Sequence, residues 1–101
     1  MAVIVHFDLA GAGLEQVYEA EAKARRRGEE RGGPPYDGCL FLAVTRTPEG
    51  VATVSAWRTE RDFRRALEET LGPDLEAVGL RVGRTTVSEA VSMAIPAAQR
   101  G

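Results

Sequence analysis

The chain predicts an α+β domain in which two helices lie on one face of a four-stranded antiparallel sheet. Three observations predict it. Apolar residues alternate in 2–9 and 51–57, they recur at helical spacing in 14–27 and 60–71, and a Pro-Glu-Gly turn joins the second strand directly to the third. At 101 residues there is material for one core, so residues 1–95 form a single domain and 96–101 a tail.

The first strand, 2–9, sets Val3, Val5, Phe7 and Leu9 on a wholly apolar face. Ala2, Ile4, His6 and Asp8 occupy the other, which turns polar towards its end. A glycine-bearing loop, 10–13, leads into helix 14–27. Its GxG pair lacks the third glycine and the acid-ended second strand of a dinucleotide loop, so it is a strand-to-helix turn. The helix has Glu early and Arg late, as its dipole favours, with a thin stripe of Leu14, Val17, Tyr18 and alanines. The run Arg25-Arg26-Arg27 reads as a solvated helix end answered by Glu29 and Glu30.

Residues 28–38 are breaker-rich and connect to a strand at 39–46 that is apolar on both faces at its start, as a covered central strand is. Thr47-Pro48-Glu49-Gly50 turns the chain into the third strand, which ends at the only tryptophan, Trp57. Thr59 is an N-cap with Asp62 at the capping-box position, and Phe63, Ala66, Leu67 and Leu71 give the following helix, 60–71, its apolar stripe. Gly72-Pro73 stops that helix, with a short extra helical turn through Leu75 and Val78. A fourth strand is expected at 85–94, with Val87, Glu89, Val91 and Met93 on one side. The order β-α-β-β-α-β is the ferredoxin-like arrangement. One sheet face then has nothing in the monomer to bury it, and a second copy laid sheet to sheet would close a dimeric α/β barrel.

Composition narrows the function classes. Thirteen basic and fifteen acidic residues give a net charge of −2, which argues against a nucleic-acid partner. No apolar run of about 18 residues crosses a membrane, no secretory leader is legible, and one cysteine suits a reducing compartment, so the expectation is a cytoplasmic protein. One His and one Cys without ligand spacing leave a metal site unsupported. Abundant Arg, Ala, Gly and Val beside a single Lys suggest a GC-rich bacterial genome.

Three stretches resemble the antibiotic-biosynthesis-monooxygenase-like group of the dimeric α/β-barrel superfamily. They are the first strand with its charged helix, Pro35-Tyr36-Asp37-Gly38 before the second strand, and Ala56-Trp57-Arg58-Thr59-Glu60 followed by Asp62-Phe63. The resemblance spans roughly residues 2–94 and implies a homodimer. It also implies a pocket between sheet and helices and, for the characterised members, oxidation of phenols or quinols without a cofactor. The haem-degrading branch keeps an Asn, a Trp and a His at places that fall near His6, at Ala66 and at Glu76 here, so haem degradation of that type is not expected.

Candidate site residues follow from both lines. His6, the only histidine, is the candidate catalytic base, since imidazole can take a proton near neutrality. Asp8 lies one alternation away and would orient its ring or meet substrate. Trp57 would stack on a planar ligand or else plug the core, and Tyr36 would donate a phenolic hydrogen bond. Glu89 would pair with Arg46 or Arg58 across the dimer, and Cys39 has no activating base near it in sequence. Two functions stay open: a cofactor-independent oxygenase acting on a planar aromatic molecule, and a non-catalytic dimeric domain that binds a small ligand or assists a biosynthetic pathway.

Overall fold

The computed structural model describes residues 1–11 and 13–94. The chain runs β1 (Val3–Ala10), α1 (Leu14–Arg31), β2 (Cys39–Thr47), β3 (Gly50–Trp57), α2 (Glu60–Glu69), α3 (Leu71–Ala77) and β4 (Arg81–Glu89). The strands form one antiparallel sheet in the order β2-β3-β1-β4, with β1 and β3 inside. The tail expected at 96–101 lies outside the described residues.

Period-two alternation settles which face of the sheet is covered. Val3, Val5, Phe7 and Leu9 are buried on the helix side, and β3 sets Trp57, Ser55, Thr53 and Val51 directly opposite them. Phe63 and Ala66 of α2, Leu71 and Leu75 of α3, and Val17 and Ala20 of α1 close the core above. Residues of the outer face, Ile4, His6 and Asp8 on β1 and Ala52 and Val54 on β3, have no helix over them among the described residues.

Two adjacent motifs prove to be one structural unit. Gly38 has a φ of +80°, and a β-carbon there would fall inside the Asp62 side chain. Its carbonyl accepts the Arg58 backbone N–H at 2.9 Å, while Thr59 Oγ1 caps α2 by accepting the Asp62 N–H at 3.0 Å. The glycine thus lets the lead-in to β2 pack on the capped start of α2.

Four elements differ from expectation. Strand β2 lies at the edge of the sheet, bonded only to β3, and is not a covered central strand, which leaves Phe41 44% exposed. Helix α1 continues through Gly28 to Arg31, because that buried glycine lets the 33–35 loop fold back on the helix; a β-carbon would meet the Gly33 carbonyl at 2.8 Å. The helix stops at Gly32, left-handed at φ 69°, whose neighbour Gly33 donates its N–H to the Gly28 carbonyl at 3.0 Å. The buried stripe of α1 is Val17, Ala20, Ala24 and Gly28, which leaves Tyr18 61% exposed.

The extra turn is a helix of its own, α3, which begins at Leu71. Pro73 sits in its first turn, where an N–H is not needed. Strand β4 is Arg81–Glu89 and not 85–94. Its length is set by β1: Val3 pairs with Glu89 and Ala10 with Arg81, so no neighbour remains for Val91 or Met93, which are 92% and 38% exposed. Gly83 sits at a register shift opposite Asp8, a β-bulge. Glu89 shares the inner face with Val3 and Val87 but is exposed at the strand end, and among the described residues it makes no ion pair.

Candidate functional site

A cleft of about 400 Å³ opens between the inner face of β2–β3, the underside of α1 and the 34–36 loop. Its cause is local. The residues that α1 turns towards the sheet there are Ala20 and Ala24, too small to fill the space above Leu42 and Val44. The floor is apolar apart from Thr53, and Tyr36 and Cys39 stand at the β2 end. Glu21 and Arg25, one helical turn apart on α1, line its exposed side.

Tyr36 is fixed by a network reaching from α1 to α3. Arg27 donates through Nη1 to Asp74 Oδ1 at 2.8 Å and through Nη2 to Asp74 Oδ2 at 2.9 Å, a bidentate pair. Nη2 also donates to the Pro35 carbonyl at 3.2 Å, and the guanidinium lies 5.4 Å from the centre of the Tyr36 ring. The Tyr36 hydroxyl donates to Asp74 Oδ2 at 3.0 Å. Asp74 itself is 7% exposed.

Hydrogen bonding to Asp74 raises the Arg27 pKa against the opposing effect of burial. Burial, with the Asp74 charge adding to it, pushes the Tyr36 phenol well above its ordinary 10. The phenol is therefore neutral, with its proton committed to Asp74. Burial pushes the Cys39 thiol up to about 11. At neutral pH it is a weakly polar wall and not a thiolate nucleophile.

The expected site residues divide between two sides of the sheet. Tyr36 lines the cleft, held as described. Trp57 is fully buried in the core beyond it, its ring 6.4 Å from Tyr36 and edge-on to Phe63 at 5.6 Å. The indole N–H donates to Ser55 Oγ at 2.9 Å, so its polar atom is already satisfied and the ring is a core plug. His6 and Asp8 are exposed on the outer face; His6 pairs with Val54 and Thr86 across the strands. Within one chain neither reaches the cleft.

Arg27 and Asp74 were not legible as partners. Arg27 is not a solvated helix end: it continues the buried spacing Val17, Ala20, Ala24, and that was the one available signal. Asp74 carried none, because 47 residues separate the pair.

These features define a ferredoxin-like α+β domain with a cleft beneath its first helix, the fold of the antibiotic-biosynthesis-monooxygenase-like group. No protein-family model matches the sequence, and no curated protein matches it. Solved structures do. The protein YJCS superposes with a TM-score of 0.60 at 11% identity, over 89% of this chain and 99% of that one. A Chloroflexus aurantiacus protein named for the antibiotic biosynthesis monooxygenases gives 0.56 at 12%, over 92% and 94%. A mutant of SnoaB, a cofactor-independent oxygenase from Streptomyces nogalater, gives 0.53 at 16%, over 91% and 93%. At such identities the likeness is one of fold.

Proposed function

We propose that this chain binds a planar, largely apolar aromatic molecule of the phenol or quinol class in the cleft under α1. One observation carries the reading: about 400 Å³ of apolar-floored space lies beside an ordered tyrosine, within the range of small-molecule sites. Cys39 supplies a direct test, because it is the only thiol and lines that space. A phenol or quinol bound there slows alkylation of Cys39 and raises the melting temperature in proportion to its occupancy. Thermal stabilisation without protection of Cys39 would place the ligand elsewhere.

Oxidation of the bound molecule by dioxygen, without a cofactor, is the second reading, and the fold likeness to SnoaB favours it. In such a reaction the deprotonated substrate supplies the electrons and the protein removes a proton. The Tyr36 hydroxyl is committed to Asp74 and Cys39 is a neutral thiol, so the base lining this chain's cleft would be the Glu21 carboxylate. His6 would need another route, since it lies across the sheet. Dioxygen uptake with a quinol, above its autoxidation and lost in Glu21→Gln but not in His6→Ala, would support this. Binding with no uptake leaves a non-catalytic ligand-binding domain.

We further propose that two copies join through their outer sheet faces. Ile4, Val54 and Ala43 are only half-buried there, and Phe41 is 44% exposed at the β2 edge of the same face. A monomeric mass by light scattering at micromolar concentration would refute the pairing.

A further inference from the structure

Two opposite charges stand unpaired at the mouth of the cleft. Glu21 and Arg25 are exposed, lie one turn apart on α1, and both line the opening. Glutamate four residues before arginine is the helical spacing that favours an ion pair, and Glu60 with Arg64 on α2 forms one at 3.1 Å. Glu21 and Arg25 have the same spacing, yet among the described residues neither joins an ion pair. The other polar side chains of the lining are committed or out of reach. The Tyr36 hydroxyl donates to Asp74, the Cys39 thiol donates to the Phe41 carbonyl, and the Thr53 hydroxyl is shut off from solvent. The free hydrogen-bonding side chains that a ligand meets are therefore the two at the mouth, one acceptor and one donor.

We infer that Arg25 is a specificity-determining residue, whose guanidinium selects a ligand carrying a carboxylate on its solvent-facing edge. The inference rests on the cleft being a ligand site, and it narrows the class there to a phenol that also bears an acid group. The apolar floor of Phe7, Leu42 and Val44 suits the ring and offers a charge no partner, so the acid group stays at the mouth. Arginine fits that group, because its planar fork donates two parallel hydrogen bonds to a carboxylate. The Glu21 carboxylate only accepts, so its partner on the same ligand is the phenolic hydroxyl, whose proton it would remove as a base.

The test sets 3-hydroxy-2-naphthoate beside its methyl ester, which has a similar shape and no charge, against wild type, Arg25→Gln and Arg26→Gln. Affinities are read from the protection of Cys39 against iodoacetamide. Wild type is expected to prefer the acid by roughly three- to tenfold, and Arg25→Gln to lose that preference while holding the ester within about twofold. Arg26 carries the same charge at the next position of α1 but does not line the cleft, so Arg26→Gln should leave the preference unchanged. Both positions are exposed and glutamine is a good helix former, so both variants should melt close to wild type. No preference for the acid in wild type, a preference that survives in Arg25→Gln, or an equal loss in Arg26→Gln overturns the role of Arg25 while leaving the cleft as the site. Failure of both probes to protect Cys39 in the wild type overturns the cleft reading and this inference with it.

Discussion

Replacing Asp74 by asparagine tests whether the network around Tyr36 holds the cleft wall in place. Asp74 accepts three hydrogen bonds, two from Arg27 and one from Tyr36, at 2.8 to 3.0 Å. Asparagine keeps one carbonyl oxygen and turns an NH2 group towards the guanidinium, so at least one charge-assisted bond becomes a clash of donors. Breaking a fully buried pair costs about 3–5 kcal/mol. The Arg27 side chain is 27% exposed, so water takes over part of its solvation and the expected loss is about 2–3 kcal/mol. That lowers the melting temperature by roughly 10–20 °C in a domain of this size. Urea unfolding of Asp74→Asn, Arg27→Met and the double variant measures it. The double variant should be less destabilised than the two single losses summed, by about 1 kcal/mol or more, since neither partner is then left alone. Additive losses, or a loss below about 0.5 kcal/mol in Asp74→Asn, would refute the network as a structural tie.

Gly38→Ala should cost about 2 kcal/mol, from a positive φ and from collision with Asp62, and adding Asp62→Ala should recover part of that loss in the same unfolding assay. Tyr36 gives a pH dependence. Its folded pKa lies above the ordinary 10, so its contribution is complete below pH 10 and is lost as pH rises from there towards the folded value. Tyr36→Phe should flatten that alkaline decline; an unchanged slope assigns it to other groups. Cys39, raised to about 11, should react with a thiol reagent at pH 8 roughly two orders of magnitude more slowly than an exposed cysteine. Its rate should climb about tenfold per pH unit, and a plateau near pH 9 would contradict the burial effect.

The sequence by itself determined what depends on periodicity and on local backbone chemistry. Alternation in β1 and β3, the two-residue turn at Pro48-Glu49, the Thr59 cap and the order of elements all follow from neighbours a few positions apart. They were enough for the topology and for the fold likeness. Tertiary structure decided whatever depends on distant partners. The ends of β4 follow the length of β1, the extension of α1 follows the loop that packs on Gly28, and Arg27 finds Asp74 across 47 residues. It also sorted the candidate residues. His6 and Trp57 lie on opposite faces of the sheet because β1 and β3 pair Val3 with Trp57, which puts odd positions of β1 inside and His6 outside. The cleft itself was beyond local reading, since it exists where two alanines of α1, Ala20 and Ala24, stand over Leu42 and Val44 of the next strand, a gap that no single segment encodes.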